Sequence, residues 1–276
     1  MHGLTRRGFL MMPALAAGKL RALIVDGENN HDWPTATAAL REILEATGRF
    51  DVRVSTSGSP DWMPPFASAD VVILNYNSGH LKTAKRWPLA LEESFLGYLA
   101  TGGGVVIFHA ANNAFVDWAE YNEIIGLGWR DPAFGPGLIV TKRGSVKTIP
   151  PPDGTKPGHG PRHDFTVTTM QNGHPLTKGM PRQWTQRAEQ LTHGQHGPAQ
   201  KLTIVSYAWS KDSLRNEPME WTRKWGKGRV YTTMFGHTWK GEDNPNLRTP
   251  GFRATFARGA EWAATGKVTL PPPPAG

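Results

Sequence analysis

The chain has 276 residues, a mass of 30.3 kDa and a formal net charge of +8. That length suits one large α/β domain or two small ones, and the absence of cysteine excludes disulfides, thiolate metal sites and a cysteine nucleophile. Lys and Arg are interspersed with Asp and Glu and form no long basic run, so the positive excess reads as solubility charge, not as a nucleic-acid surface.

In chain order, residues 1–18 are expected to be a leader. Thr5-Arg6-Arg7-Gly8-Phe9-Leu10 resembles a twin-arginine export signal, and Ala14-Leu15-Ala16 suits cleavage. This predicts an exported or periplasmic protein; the alternative is a frayed cytosolic arm. No later stretch has the length of a transmembrane helix. One domain is expected over residues 19–270, with 271–276 as a tail.

Leu20 to Val25 reads as a buried strand, and Asp26 to His31 as a polar turn at its carboxyl end. Asp32 can cap the next helix, whose Ala36, Ala39, Leu40, Ile43 and Leu44 share one face. Gly48 ends it. Phe50 to Thr56 alternates like an edge strand, and Asp70 to Asn75 reads as another buried strand. Trp87 to Ala100 is a helix feeding the central stretch, Thr101 to Asn113. There a glycine triplet leads into Val105-Val106-Ile107-Phe108, an apolar run suited to a strand buried on both faces. His109 follows at its carboxyl end, the edge at which open α/β sheets bind ligands. This rhythm predicts a doubly wound parallel sheet.

After Asp117 the pattern changes. A short helix over 118–125 is followed by a loop to 137, one strand over 138–149 and a loop over 150–160. Further strands are expected at 163–170, 201–209, 217–225 and 229–235, with Gly226-Lys227-Gly228 as a hairpin turn. Pro250 to Thr265 is the last helix. These elements predict an added antiparallel β region within one domain.

Several stretches carry a resemblance. They include Asn30-His31-Asp32, Gly103 to Ala110, Trp118-Ala119-Glu120-Tyr121, His159 to Phe165 and Gly173 to Pro181. Asn216 to Met219, Gly226 to Val230, Phe235-Gly236-His237 and Arg258 to Trp262 follow. In this order they resemble the trehalose-utilisation (ThuA-like) family, over about residues 20–270. The resemblance implies a flavodoxin-like fold similar to class I glutamine amidotransferases. It also implies a role in sugar catabolism beside sugar dehydrogenases, with 3-keto-glycosides as substrates. Two places depart from the family pattern: Arg187-Ala188-Glu189-Gln190-Leu191, and Gly236-His237-Thr238. His109 stands where an amidotransferase would carry its cysteine, so the amidotransferase activity is not expected.

The residues suited to chemistry are histidines at predicted strand ends. His109 is the candidate base, joined by Asp117 and Glu189 as catalytic carboxylates. His31, His193 and His237 are candidate ligands of a divalent, zinc-like ion. Asn30, Asp32, Asn112, Trp118 and Trp239 are candidate contacts to a carbohydrate. His159 and His163 are read as loop-ordering groups or direct contacts, and His174 as fixing a turn. No nucleotide is expected, because the glycine triplet precedes a strand instead of opening a helix, and no flavin, because Gly27 to His31 lacks the hydroxyl-rich phosphate loop that flavin binding in such a fold uses. Three readings stay open: an enzyme acting on oxidised sugars, a carbohydrate-binding module, and a subunit serving a sugar dehydrogenase. A homo-oligomer is compatible with each.

Overall fold

The computed structural model describes residues 18–78 and 85–274. The expected leader therefore lies, except for its last residue, outside the described residues. The first half alternates strand and helix: β1 (Leu20–Asp26), α1 (Trp33–Ala46), β2 (Phe50–Thr56), β3 (Val71–Leu74), α2 (Leu89–Ala100) and β4 (Gly104–Phe108). Helix α3 (Ala119–Ile125) follows. Then come β5 (Gly137–Val140), β6 (Val146–Ile149), β7 (Gly158–His159), β8 (His163–Thr169) and β9 (Gln183–Glu189). The chain closes with β10 (Thr192–His193), β11 (Thr203–Ser210), β12 (Arg215–Trp225), β13 (Gly228–Thr233) and α4 (Pro250–Thr265).

The main sheet is mixed, in the order β2-β1-β3-β4-β13-β12-β11-β8-β9. The β2-to-β13 half is parallel. From β13 outward every pairing is antiparallel, with the β5–β6 hairpin joining at β12.

The apolar runs are continuous because alternate side chains enter two different cores. Ile24, Ile73, Val106 and Phe108 pack with Leu40 of α1 and Phe252 and Phe256 of α4. Val25, Leu74, Val105 and Ile107 pack with Phe95 of α2 and Tyr121 of α3 on the other face. A strand covered by helices on both sides has no solvent face, so no polar residue interrupts it. Gly104 is needed for that cover: a Cβ there would lie 2.3 Å from the Ala263 carbonyl oxygen of α4.

The structure corrects two expected elements. Residues 138–149 are a hairpin, not one strand; Gly144 takes a left-handed φ of 80° in its turn. Strand β9 was not expected, since Gln183-Trp184-Thr185-Gln186-Arg187 reads as polar. It is an edge strand that pairs through its backbone with β8. Among the described residues no helix is long and apolar enough to cross a membrane.

Candidate metal centre

Three loops leave the carboxyl ends of β1, β4 and β13 at one edge of the sheet. Each brings a histidine: His31, His109 and His237. Their rings pack edge to face, with centroids 4.9 Å apart for His31–His109, 4.4 Å for His31–His237 and 5.2 Å for His109–His237. One ring nitrogen from each lies within 4.8 Å of the others.

Local structure aims these rings. His109 is the first residue of a short 3-10 turn, has a left-handed φ of 44°, and is buried. Its Nδ1 lies 2.7 Å from the Met234 carbonyl oxygen. A carbonyl only accepts, so Nδ1 carries the proton and Nε2 keeps its lone pair. His31 is set in the same way, with Nδ1 3.0 Å from Asn29 Oδ1. The Asn29 amide is oriented in turn, because its Nδ2 donates to Asn75 Oδ1 at 3.2 Å. His237 follows Gly236, whose φ of 102° turns the chain in a space where a Cβ would strike the Phe108 ring. The His237 Nδ1 is buried with no hydrogen-bond partner among the described residues.

Burial keeps all three imidazoles neutral. It holds His109 well below the usual histidine range, reinforced by His31 and His237 beside it. Burial, then His159, lowers His31 to about 4. Burial, then His31, His159 and Arg162, lowers His237 to about 3. Neutral imidazole is the form that ligates a metal.

The pocket in front of the cluster is also walled by Asn112, Trp129, His159 and Thr192. The His159 ring lies 5.9 Å from that of His237 and 5.9 Å from that of Trp129. Asn112 is buried and donates from Nδ2 to Gln195 Oε1 at 2.8 Å, while its Oδ1 has no partner among the described residues. Asn30 lines the same pocket, its Oδ1 accepting from Asn77 Nδ2.

Other expected site residues stand elsewhere. His193 does not join the cluster: it lies in β10, paired with β7, so His109 supplies the third imidazole in its place. Glu189 is fully buried and lines neither the pocket in front of the cluster nor the crevice beside it. It accepts from the backbone N–H of Gly236 at 2.7 Å and His237 at 3.3 Å, and from Asn246 Nδ2 at 3.0 Å. Burial pushes its carboxyl up to about 7 against these donors. It thus holds the His237 turn from beneath. Asp117 is exposed and outside the pocket. Trp118 is 1 % exposed and packs among Trp87, Phe115 and Tyr121, so it has no face to offer a ligand. Asp32 caps α1, its carboxylate accepting from Thr35 Oγ1 at 2.7 Å. It lies with Trp239 in a second crevice that also touches His31 and His237. The orienting carbonyl of Met234 could not be read from sequence, since it lies 125 residues from His109. Asn29, two residues before His31, was in principle visible as a local side-chain cap.

Comparison with known proteins gives a consistent picture. The family profile described as trehalose utilisation (ThuA) matches residues 21–263. A ThuA-like protein from Parabacteroides merdae is similar, with 35% identity, a TM-score of 0.82 and 92% of each chain covered. A ThuA-like protein from Bacteroides uniformis superposes with a TM-score of 0.58 at 15% identity, covering 94% of this chain and 96% of that one. A protein from Salmonella typhimurium described as cytoplasmic gives 0.52 at 12% identity, covering 88% and 99%. The last two show likeness of fold alone. None of the curated proteins matches the chain.

Proposed function

Because the chain belongs to the trehalose-utilisation (ThuA) family, we propose that it is an enzyme of sugar catabolism acting on 3-keto-glycosides around a divalent ion held by His31, His109 and His237. The observation that carries this reading is the convergence of three neutral imidazoles on one pocket. Two of them have their tautomers set by outer acceptors, as metal-ligating histidines commonly do. The unpartnered His237 Nδ1 is a further buried polar atom in want of a partner. An all-nitrogen donor set suits zinc or a neighbouring transition ion over magnesium or calcium. The parallel-strand order β2-β1-β3-β4-β13 agrees with the flavodoxin-like arrangement, whose ligands sit outside the carboxyl ends of the strands.

When bound, such an ion supplies Lewis acidity to a ketone or enolate oxygen. The chain's own residues do the rest. His159 has Nδ1 3.3 Å from the Gly160 carbonyl oxygen, which leaves Nε2 to accept a proton. The C2 hydrogen of a 3-keto sugar is acidified by the adjacent ketone. His159 takes that proton; the electron pair left at C2 forms the C1=C2 bond as the C1–O bond breaks. The departing oxygen then takes the proton back from His159.

The test is incubation of the purified protein with a panel of 3-keto-glycosides, before and after chelation. Turnover should be lost on chelation and return with zinc. Full turnover in chelator would remove the metal from the reading. No turnover of any member would leave a carbohydrate-binding or dehydrogenase-associated protein.

A further inference from the structure

We propose that the crevice on the far side of His31 and His237 is a second subsite, which takes the leaving ring of a disaccharide-sized glycoside. This rests on the reading above. The pocket containing His109 and the outer crevice share Asn30, His31 and His237 as a common wall. The pocket holds about 200 Å³ and the crevice about 480 Å³. Typical ligand sites span roughly 300–1,000 Å³. The pocket alone falls short of that range, and the crevice beside it falls within it.

The crevice is built from two rigid loops. Trp33 and Pro34 open α1 on one side, and Trp239 and Lys240 follow β13 on the other. Asp32 N–H donates to the Thr238 carbonyl at 3.4 Å, and Thr238 Oγ1 donates back to the Asp32 carbonyl at 3.1 Å. Asn244 braces Trp239 from both sides of its peptide, accepting its N–H at 2.9 Å and donating to its carbonyl at 3.3 Å.

Its chemistry selects the occupant. Trp239 is already covered, by the His237 ring at 4.2 Å and by the Arg162 guanidinium at 4.5 Å. Trp33 is half-buried and carries no such cover among the described residues, so its indole is the stacking face. Asp32 and Lys240 bring one charge of each sign, which favours a neutral ligand over an ionic one. An indole beside a carboxylate, an ammonium and the Asn30 amide matches a ring with apolar C–H faces and hydroxyl edges. A bond cleaved at the pocket would leave the departing ring on this side of the two histidines.

Calorimetric titration of the zinc-supplemented protein tests this. The probes are trehalose, glucose and phenyl glucoside, none of which has the ketone needed for turnover. Trehalose should bind about five- to tenfold more tightly than glucose. Trp33→Ala should collapse that ratio and Trp33→Phe should largely restore it. Equal or absent binding of trehalose by the unaltered protein would overturn the subsite. So would an undiminished ratio in a folded Trp33→Ala protein. Phenyl glucoside binding more tightly than trehalose would assign the crevice to aryl groups and overturn a sugar occupant. These arms need no reaction. An intact ratio without turnover of 3-keto-glycosides sinks only the enzymatic reading, and turnover without the ratio sinks only the subsite.

Discussion

His109 holds a left-handed backbone conformation, which costs a non-glycine residue on the order of 1–3 kcal/mol. The surroundings impose it. Phe108 is locked in the sheet, His109 Nδ1 donates to the Met234 carbonyl, and the rings of His31 and His237 lie against the His109 ring. A sharp strand-to-turn passage of this kind points a side chain out over the sheet edge, where a ligand can meet it. Asparagine tolerates the same conformation, so His109→Asn separates ligation from backbone strain. We expect bound metal, measured by elemental analysis, to fall from near one ion per chain to a small fraction. Turnover should fall in step with the metal lost. Retained metal and turnover with a lowered melting temperature would make His109 a core histidine.

Strand β12 is the first strand of the antiparallel half, next to β13 where the two halves of the sheet meet, and a buried carboxylate ties it to both neighbours. Glu220 accepts from Ser206 Oγ of β11 at 2.6 Å and from the Tyr231 hydroxyl of β13. Burial raises its carboxyl above the usual range, against the hydrogen bonds of Ser206 and Tyr231. A carboxyl raised in the folded state favours folding when protonated. Its contribution is complete below the unfolded value, near 4.5, and is lost as pH rises through the raised value. The thermal midpoint should therefore decline as pH rises from the unfolded value through the raised one, and Glu220→Gln should flatten this component. Parallel slopes for the two proteins would show that Glu220 does not titrate differently on folding. The same strand shows what elements reveal in advance. Trp225 and Gly228 flank a glycine-marked turn, and the β12–β13 hairpin was legible from that turn. Strand β9 was not, because its edge position asks for backbone pairing and little apolar alternation.

The whole molecule depends on loops far apart in sequence meeting at one point. An ion shared by residues 31, 109 and 237 would bind the folded chain and not the unfolded one. Zinc at about one hundred times its Kd would then stabilise the fold by about 2.7 kcal/mol. For a chain of this size that is a rise of roughly 5–10 °C in the unfolding midpoint. Differential scanning fluorimetry with zinc, and after chelation, measures it; His31→Ala should abolish the shift. A midpoint indifferent to both would mean that no ion is held there.

The sequence by itself determined the alternation of strand and helix, the double burial of Val105 to Phe108 and the placing of three histidines after strands. It could do so because burial on two faces writes itself as unbroken apolar runs, and a strand end is marked by the polar residues that follow. Only the tertiary structure decided which histidines meet. It put His109 beside His31 and His237 and left His193, a loop histidine in the sequence reading, outside. It also turned Glu189 inward beneath Gly236 and sealed Trp118 in an aromatic core. Those outcomes depend on strand order. β13 pairs with β4 across more than a hundred residues of chain, and no local periodicity records which distant strand a given strand will choose.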